Sequence, residues 1–147
     1  MKPGALLIVE DSADACEFFR RFLLASVGSD RMPAISIAST LAQAKEMVAA
    51  NHYDVCLLDL DLPDSPRMET VAELPAITRT FPPIVCTTGF TDNITAIIRR
   101  CLATGAHDFI TKERIPKEPH VFAEKIFFAT LRCVGCKKVG RAMNEPQ

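Results

Sequence analysis

The stretch Asp54-Val55-Cys56-Leu57-Leu58-Asp59-Leu60-Asp61-Leu62-Pro63-Asp64 decides how the chain folds. Residues 55–58 are apolar without alternation, the pattern of a strand buried on both faces of a parallel sheet. The run ends in the carboxylates of Asp59, Asp61 and Asp64 and in Pro63, which has no N–H with which to continue a ladder. In open α/β sheets the chemistry collects beyond the carboxyl ends of the strands. An ionised aspartate there is costly to bury alone and calls for a cation or several donors close by.

The flanking sequence supplies further strands. Ala5–Val9 is a second apolar run, ended by Glu10 and Asp11. Ala34–Ala38 alternates weakly, as at a sheet edge. Residues 83–87 lead into Thr88-Gly89, and Asp108–Thr111 leads into Lys112. Helical patterns separate them. Ser12 or Asp14 caps the first, with Asp14 and Glu17 at capping-box spacing; Ala15, Phe18, Phe19, Phe22 and Leu23 form its buried stripe and Gly28-Ser29 its end. Thr40 and Gln43 form another capping box before a helix to about residue 50. The third helix, about 67–79, contains Pro75. An interior proline costs about 3 kcal/mol in an intact helix, so a kink or a stop and restart is expected. Asp92 caps a fourth helix whose inward stripe is Ile94, Ile97, Ile98, Cys101 and Leu102, closed by Gly105; Pro119 opens a last helix to about residue 134. Strands alternating with helices over short loops call for an α/β fold: a doubly wound, five-stranded parallel sheet of flavodoxin-like order 2-1-3-4-5 with helices on both faces. Its crevice lies between strands one and three, the two that end in acids.

The 147 residues suffice for one domain, taken as residues 1–134, with 135–147 a C-terminal tail or the start of a linker. A net charge of −1 argues for neither a nucleic-acid nor a membrane surface. No targeting or spanning segment is visible, and the six cysteines sit mostly in apolar runs, as reduced thiols of a cytoplasmic protein do. Cys133 and Cys136 have the spacing of half a zinc site. The other half is missing, with His52, His107 and His120 scattered, so two helical thiols is the default. The last helix carries two stripes: Phe122, Ile126, Ala129 and Cys133 suit the sheet, while Phe127, Leu131 and Val134 lie on the other side. A helix covering a sheet needs one apolar face, so the second fits a partner, a second copy or the chain's own tail.

Glu10, Asp11, Asp59, Thr88 and Lys112 therefore converge at the carboxyl ends of strands one, three, four and five. Like charges in one crevice raise each other's pKa unless a cation joins them, and magnesium (or manganese) suits a site of carboxylates, a carbonyl, water and a phosphoryl oxygen. Such a site lets Asp59 act as a carboxylate nucleophile toward phosphorus, with the hydroxyl and the ammonium holding the remaining oxygens.

Ile8-Val-Glu-Asp11, the run from Leu57 to Asp64, Val85-Cys-Thr-Thr88-Gly89 and the run from Gly105 to Lys112 together resemble the receiver domain of two-component response regulators, over about residues 5–130. The resemblance implies Asp59 as phosphoacceptor, Asp11 and Glu10 as direct and water-mediated magnesium ligands, and Asp61 as a ligand through its backbone carbonyl. It implies Thr88 as the switch hydroxyl, Phe109 as the switch aromatic and Lys112 as the phosphate partner. The donor would be a phosphohistidine on a sensor histidine kinase or histidine phosphotransfer protein. The output would run through the fourth helix, fifth strand and last helix to a downstream protein, a linked output domain or a homodimer. The chain would catalyse only its own phosphorylation and dephosphorylation. It departs from the family at Arg67, where glycine is usual, and at Asp61, where a neutral residue is common. Glu113 replaces a proline after Lys112, where a cis bond would cost about 2.5–4 kcal/mol. Phe109 has no hydroxyl with which to hold an outward rotamer. Asp61, together with Phe90, is expected to change the lifetime of the acyl phosphate. Asp59-Leu-Asp61 also resembles the nucleophile motif of haloacid-dehalogenase-type phosphohydrolases, although that family carries it on the first strand, and a degenerate receiver used only for docking is a third reading.

Overall fold

The computed structural model describes residues 4–144, with side chains through Leu131. Five strands, β1 (Ala5–Val9), β2 (Ala34–Ala38), β3 (Val55–Asp59), β4 (Ile84–Thr88) and β5 (Asp108–Thr111), form one parallel sheet in the order β2-β1-β3-β4-β5. The expected doubly wound fold is the observed one. Successive side chains on a strand face opposite ways, and each face has its own core. Leu7, Val9, Cys56, Leu58, Ile84, Cys86 and Phe109 pack with α2 (Leu41–Ala50), α3 (Arg67–Ile77) and α4 (Ile94–Ala103). Leu6, Ile8, Val55, Leu57, Val85 and Ile110 pack with α1 (Ala13–Val27) and α6 (Pro119–Asn144), and a short α5 (Arg114–Lys117) leads into the latter.

The same alternation sets the site. Continued past the strand ends, it places Glu10, Asp59 and Lys112 in register with Ile8, Leu57 and Ile110 on the α1/α6 face. Thr88 falls in register with Cys86 on the other face.

Several local expectations need correction. Ser12, not Asp14, caps α1 by accepting from the Ala15 amide, and Glu17 pairs with Arg20 instead of closing a capping box. The fourth helix begins at Asn93 in a left-handed conformation (φ 54°) without a side-chain cap, so Asp92 does not cap it. Leu102, assigned to its inward stripe, is exposed. Pro75 neither stops nor restarts α3, because it lies in the last turn, where little helix remains to be broken. No peptide bond among the described residues is cis, Lys112 to Glu113 included. Gly105 (φ 116°) does close α4, and a side chain there would meet Thr78 Oγ1 at 2.7 Å.

The last helix continues through Asn144, past its expected end at about 134. Phe122, Ile126 and Ala129 are buried as expected. Phe127 packs against the core, and Phe128, 60% exposed, joins exposed Leu131 on the outer side. The side chains of Cys133, Val134 and Cys136 lie outside the described residues.

The loop after β3 is held from a distance. Asp64 accepts from the amides of Leu41 and Ala42, each at 3.0 Å, while Thr40 Oγ1 accepts from Gln43 and the Thr40 carbonyl from Ala44. The three free amides of the first turn, Leu41, Ala42 and Gln43, are thereby satisfied, and Ala44 makes the first bond within the helix. Slight burial pushes the Asp64 carboxyl up, but these amides outweigh it and hold the group below its ordinary value. Asp64→Ala is expected to cost about 1 kcal/mol, read from urea melts at neutral pH. A group shifted downward contributes above its unfolded value of 3.8 and loses that contribution as pH falls through its lower folded value. The difference between the two proteins should therefore shrink below that value.

Candidate functional site

Beyond the carboxyl ends of the strands, Glu10 and Asp59 are each only 2% exposed, whereas Asp11 beside them is open to solvent. Lys112 reaches across from β5, its Nζ 2.6 Å from Glu10 Oε1 and 3.6 Å from Asp59 Oδ2. Glu10 Oε2 accepts from the Asp11 amide at 3.1 Å, and Asp59 Oδ1 from the Asp61 amide at 3.2 Å. The Phe19 ring lies 5.8 Å from the Lys112 ammonium, so a residue legible only as part of an apolar helix stripe also positions the cation.

Thr88 is fully buried. It donates to Asp61 Oδ2 at 2.5 Å and accepts from the Phe90 amide at 3.2 Å. The sequence pointed to a backbone carbonyl role for Asp61 and to an effect of its carboxylate on phosphate lifetime; the structure shows that carboxylate as the acceptor of the Thr88 hydroxyl. Phe109 is turned inward and is 5% exposed, so its ring is already inside the core before any change at Thr88.

Two buried carboxylates share one lysine. Burial first, then the neighbouring Asp59 carboxyl, raises the Glu10 carboxyl above its ordinary value against the pull of Lys112. Burial alone would lower the Lys112 ammonium, but the hydrogen bond to Glu10 and the charge of Asp59 carry it upward. The uncompensated charge is negative. Glu10, Asp11 and Asp59 each offer a carboxylate oxygen, all within 4.8 Å of one another. Oxygen donors of this kind fit a hard divalent cation. A cavity of about 750 Å³ lined by His52, Tyr53, Arg79 and His107 lies at the opposite, amino ends of the strands and takes no part in this arrangement.

The family model for the response regulator receiver domain matches residues 6–120. The chain belongs to that family. The receiver is 31% identical over 116 residues to protein-glutamate methylesterase/protein-glutamine glutaminase 1 of Geobacter metallireducens, covering 78% of this chain and 30% of the relative. It is 33% identical over 121 residues to the corresponding Hydrogenovibrio crunogenus protein, covering 81% and 30%. It thus spans about 30% of the length of the curated relatives it matches. Among solved structures, the response regulator domain of Thermotoga maritima CheB aligns with a TM-score of 0.71 at 24% identity, covering 88% of this chain and 97% of that one. A CheY-like receiver domain protein from Methanospirillum hungatei aligns at 0.69 and 20%, covering 91% and 98%. At these identities the structures speak for the fold, and the family match carries the assignment. This is a receiver domain of two-component signalling, with its acids gathered where a phosphoryl and metal site belongs. No helix among the described residues is long and apolar enough to cross a membrane.

Proposed function

We propose that the receiver takes a phosphoryl group on Asp59 from a phosphohistidine of a sensor histidine kinase or histidine phosphotransfer protein. An Asp59 oxygen attacks phosphorus, the P–N bond breaks with its electron pair going to the imidazole, and the product is a mixed anhydride of Asp59. The observation that carries this reading is a buried aspartate set between an acidic cluster and an ammonium 3.6 Å away. Lys112 offsets charge on the transferred group, and the Asp61 amide fixes one Asp59 oxygen, so catalysis is positioning plus electrostatics. Glu10, Asp11, Asp59 and the Asp61 carbonyl are the groups to hold magnesium, which when bound would neutralise charge on the phosphoryl oxygens.

The new anhydride carries roughly −1.5 to −2 charges. It competes with Asp61 for the Thr88 hydroxyl and with Glu10 for Lys112. Movement of Thr88 reaches the β4–α4 loop through the Phe90 amide, and Phe109, in the same core as α4, shifts with it. The readout surface is α4, β5 and α6, where Leu102, Phe128 and Leu131 are exposed for a downstream protein, a linked output domain or a second copy. The cytoplasm, where sensor kinases present their phosphohistidine, is the expected location. A phosphohydrolase is the weaker reading, because the Asp61 carboxylate is held by Thr88 and the motif sits on the third strand.

The test is incubation with acetyl phosphate and magnesium, followed by intact mass and mapping of the base-labile adduct. One adduct at Asp59 is expected. Chelating the metal should slow its formation about a hundredfold, the scale of losing one preorganised electrostatic contact. Labelling at another residue, or equal labelling in chelator, refutes the assignment.

A further inference from the structure

Arg67 opens α3 on the face of the sheet opposite Lys112, immediately after the loop that begins at Asp59. Its guanidinium carbon lies 5.7 Å from the centre of the Phe90 ring. Phe90 is two residues past Thr88, with its amide on the Thr88 hydroxyl. The two loops that flank the crevice therefore touch through this pair. None of the ion pairs among the described residues includes Arg67, although acids stand throughout the crevice. Its Nη1 is buried and has no hydrogen-bond partner.

A buried N–H of a cation without an acceptor is unfavourable and calls for an explanation. The contact with Phe90 accounts for where the guanidinium lies, but an aromatic ring is no hydrogen-bond acceptor for the buried Nη1. The unmet need is an anionic acceptor that is not always present. In a receiver, that acceptor is the phosphoryl group. Its terminal oxygens exceed what Lys112 and Thr88 can satisfy, and the fork of an arginine matches such oxygens. Lys112 approaches Asp59 from the α1/α6 face, so a second cation on the α3 face would meet oxygens that Lys112 does not.

We propose that Arg67 is a phosphoryl-binding residue that this chain adds to Thr88 and Lys112: Phe90 holds its guanidinium at the rim of the crevice, and Nη1 donates to a phosphoryl oxygen on Asp59. The proposal rests on Asp59 being the phosphoacceptor. Phe90, 59% exposed, is a clamp for the cation, which explains a large aromatic ring left in solvent beside a buried site.

The test uses beryllofluoride with magnesium as a phosphoryl mimic, titrated by isothermal calorimetry with fluorine NMR of the bound species. Arg67→Gln keeps an unbranched polar side chain but loses the charge, the fork and some reach, and should bind the mimic about tenfold more weakly than the native chain. Phe90→Leu should fall between, and Arg67→Lys should recover part of the loss. Melting of Arg67→Gln without the mimic should match the native chain or exceed it, because an unpaired buried N–H has been removed. Native affinity in Arg67→Gln overturns the proposal. So does a lower melting point without the mimic, which would assign Arg67 to holding the two loops together. If the native chain itself neither binds beryllofluoride nor labels at Asp59, the phosphoacceptor reading fails first and takes this proposal with it.

Discussion

Asp59→Asn is expected to abolish the base-labile adduct and to leave the domain as stable as the native chain, or more so. Loss of function follows from chemistry, since a carboxamide oxygen is no nucleophile toward phosphorus and the mixed anhydride cannot form. The stability expectation follows from charge. Without metal, Glu10 and Asp59 are both buried and share the Lys112 ammonium, which sits 2.6 Å from the first and 3.6 Å from the second. The nearer pair is the stronger, and it survives the substitution. What disappears is repulsion between two carboxylates, one of the causes that raise Glu10. Relief of that repulsion is expected to show as an equal or higher melting temperature in the variant. Magnesium should raise the melting point of the native chain more than that of the variant, because one of the three carboxylates is gone. Melting curves with and without magnesium, beside intact mass after acetyl phosphate, measure all of this. A variant that still labels, or that unfolds when made, would mean that Asp59 is a structural acid and not a phosphoacceptor.

The sheet was legible because a strand buried on both faces must be apolar throughout, and such runs stop abruptly where the chain meets solvent. Val55 to Leu58 and Ala5 to Val9 showed this plainly, and both stops are acids. Parallel pairing then brings Glu10, Asp59, Thr88 and Lys112 to one end whatever their separation in sequence. Helix ends were harder to read. Asp92 has the chemistry of a cap, yet the helix starts one residue later from a left-handed Asn93, a choice made by loop geometry. The acid that does bind helix amides in trans is Asp64, 23 residues from Leu41, and no local pattern could reveal it. Leu102 and Phe127 show the limit of periodicity: the first was placed inward and is exposed, the second was placed outward and packs against the core. At 100° per residue a neighbour of a buried position is easily placed on the wrong face, and only packing decides. The resting partner of Thr88 was hidden for the same reason as Asp64: Asp61 was marked by its position in a motif, but its side chain meets a hydroxyl from another strand 27 residues away.

That contact yields the second large effect. Asp61→Asn is expected to lengthen the lifetime of the phosphorylated state and to raise its steady-state level, each about tenfold. In the resting chain the Thr88 hydroxyl donates to a carboxylate, and hydrogen bonds to charged groups contribute roughly 1.5–3 kcal/mol against about 1 for neutral pairs. The phosphoryl group must outcompete that acceptor before Thr88 can help to hold it. An asparagine oxygen still accepts from Thr88, preserving the packing, but as a neutral and weaker rival. A difference of about 1.4 kcal/mol is a factor of ten. The substitution also removes a negative charge from beside the dianion, which acts in the same direction. Two measurements separate the routes. Decay of the Asp59 adduct after removal of the donor gives the lifetime, and the same decay in a Thr88→Ala background gives the part that runs through the hydroxyl. If Asp61 acts by holding Thr88, its effect should collapse once Thr88 is gone. If the effect persists undiminished, simple charge repulsion is the cause, and an unchanged decay in Asp61→Asn alone removes Asp61 from control of the phosphate altogether.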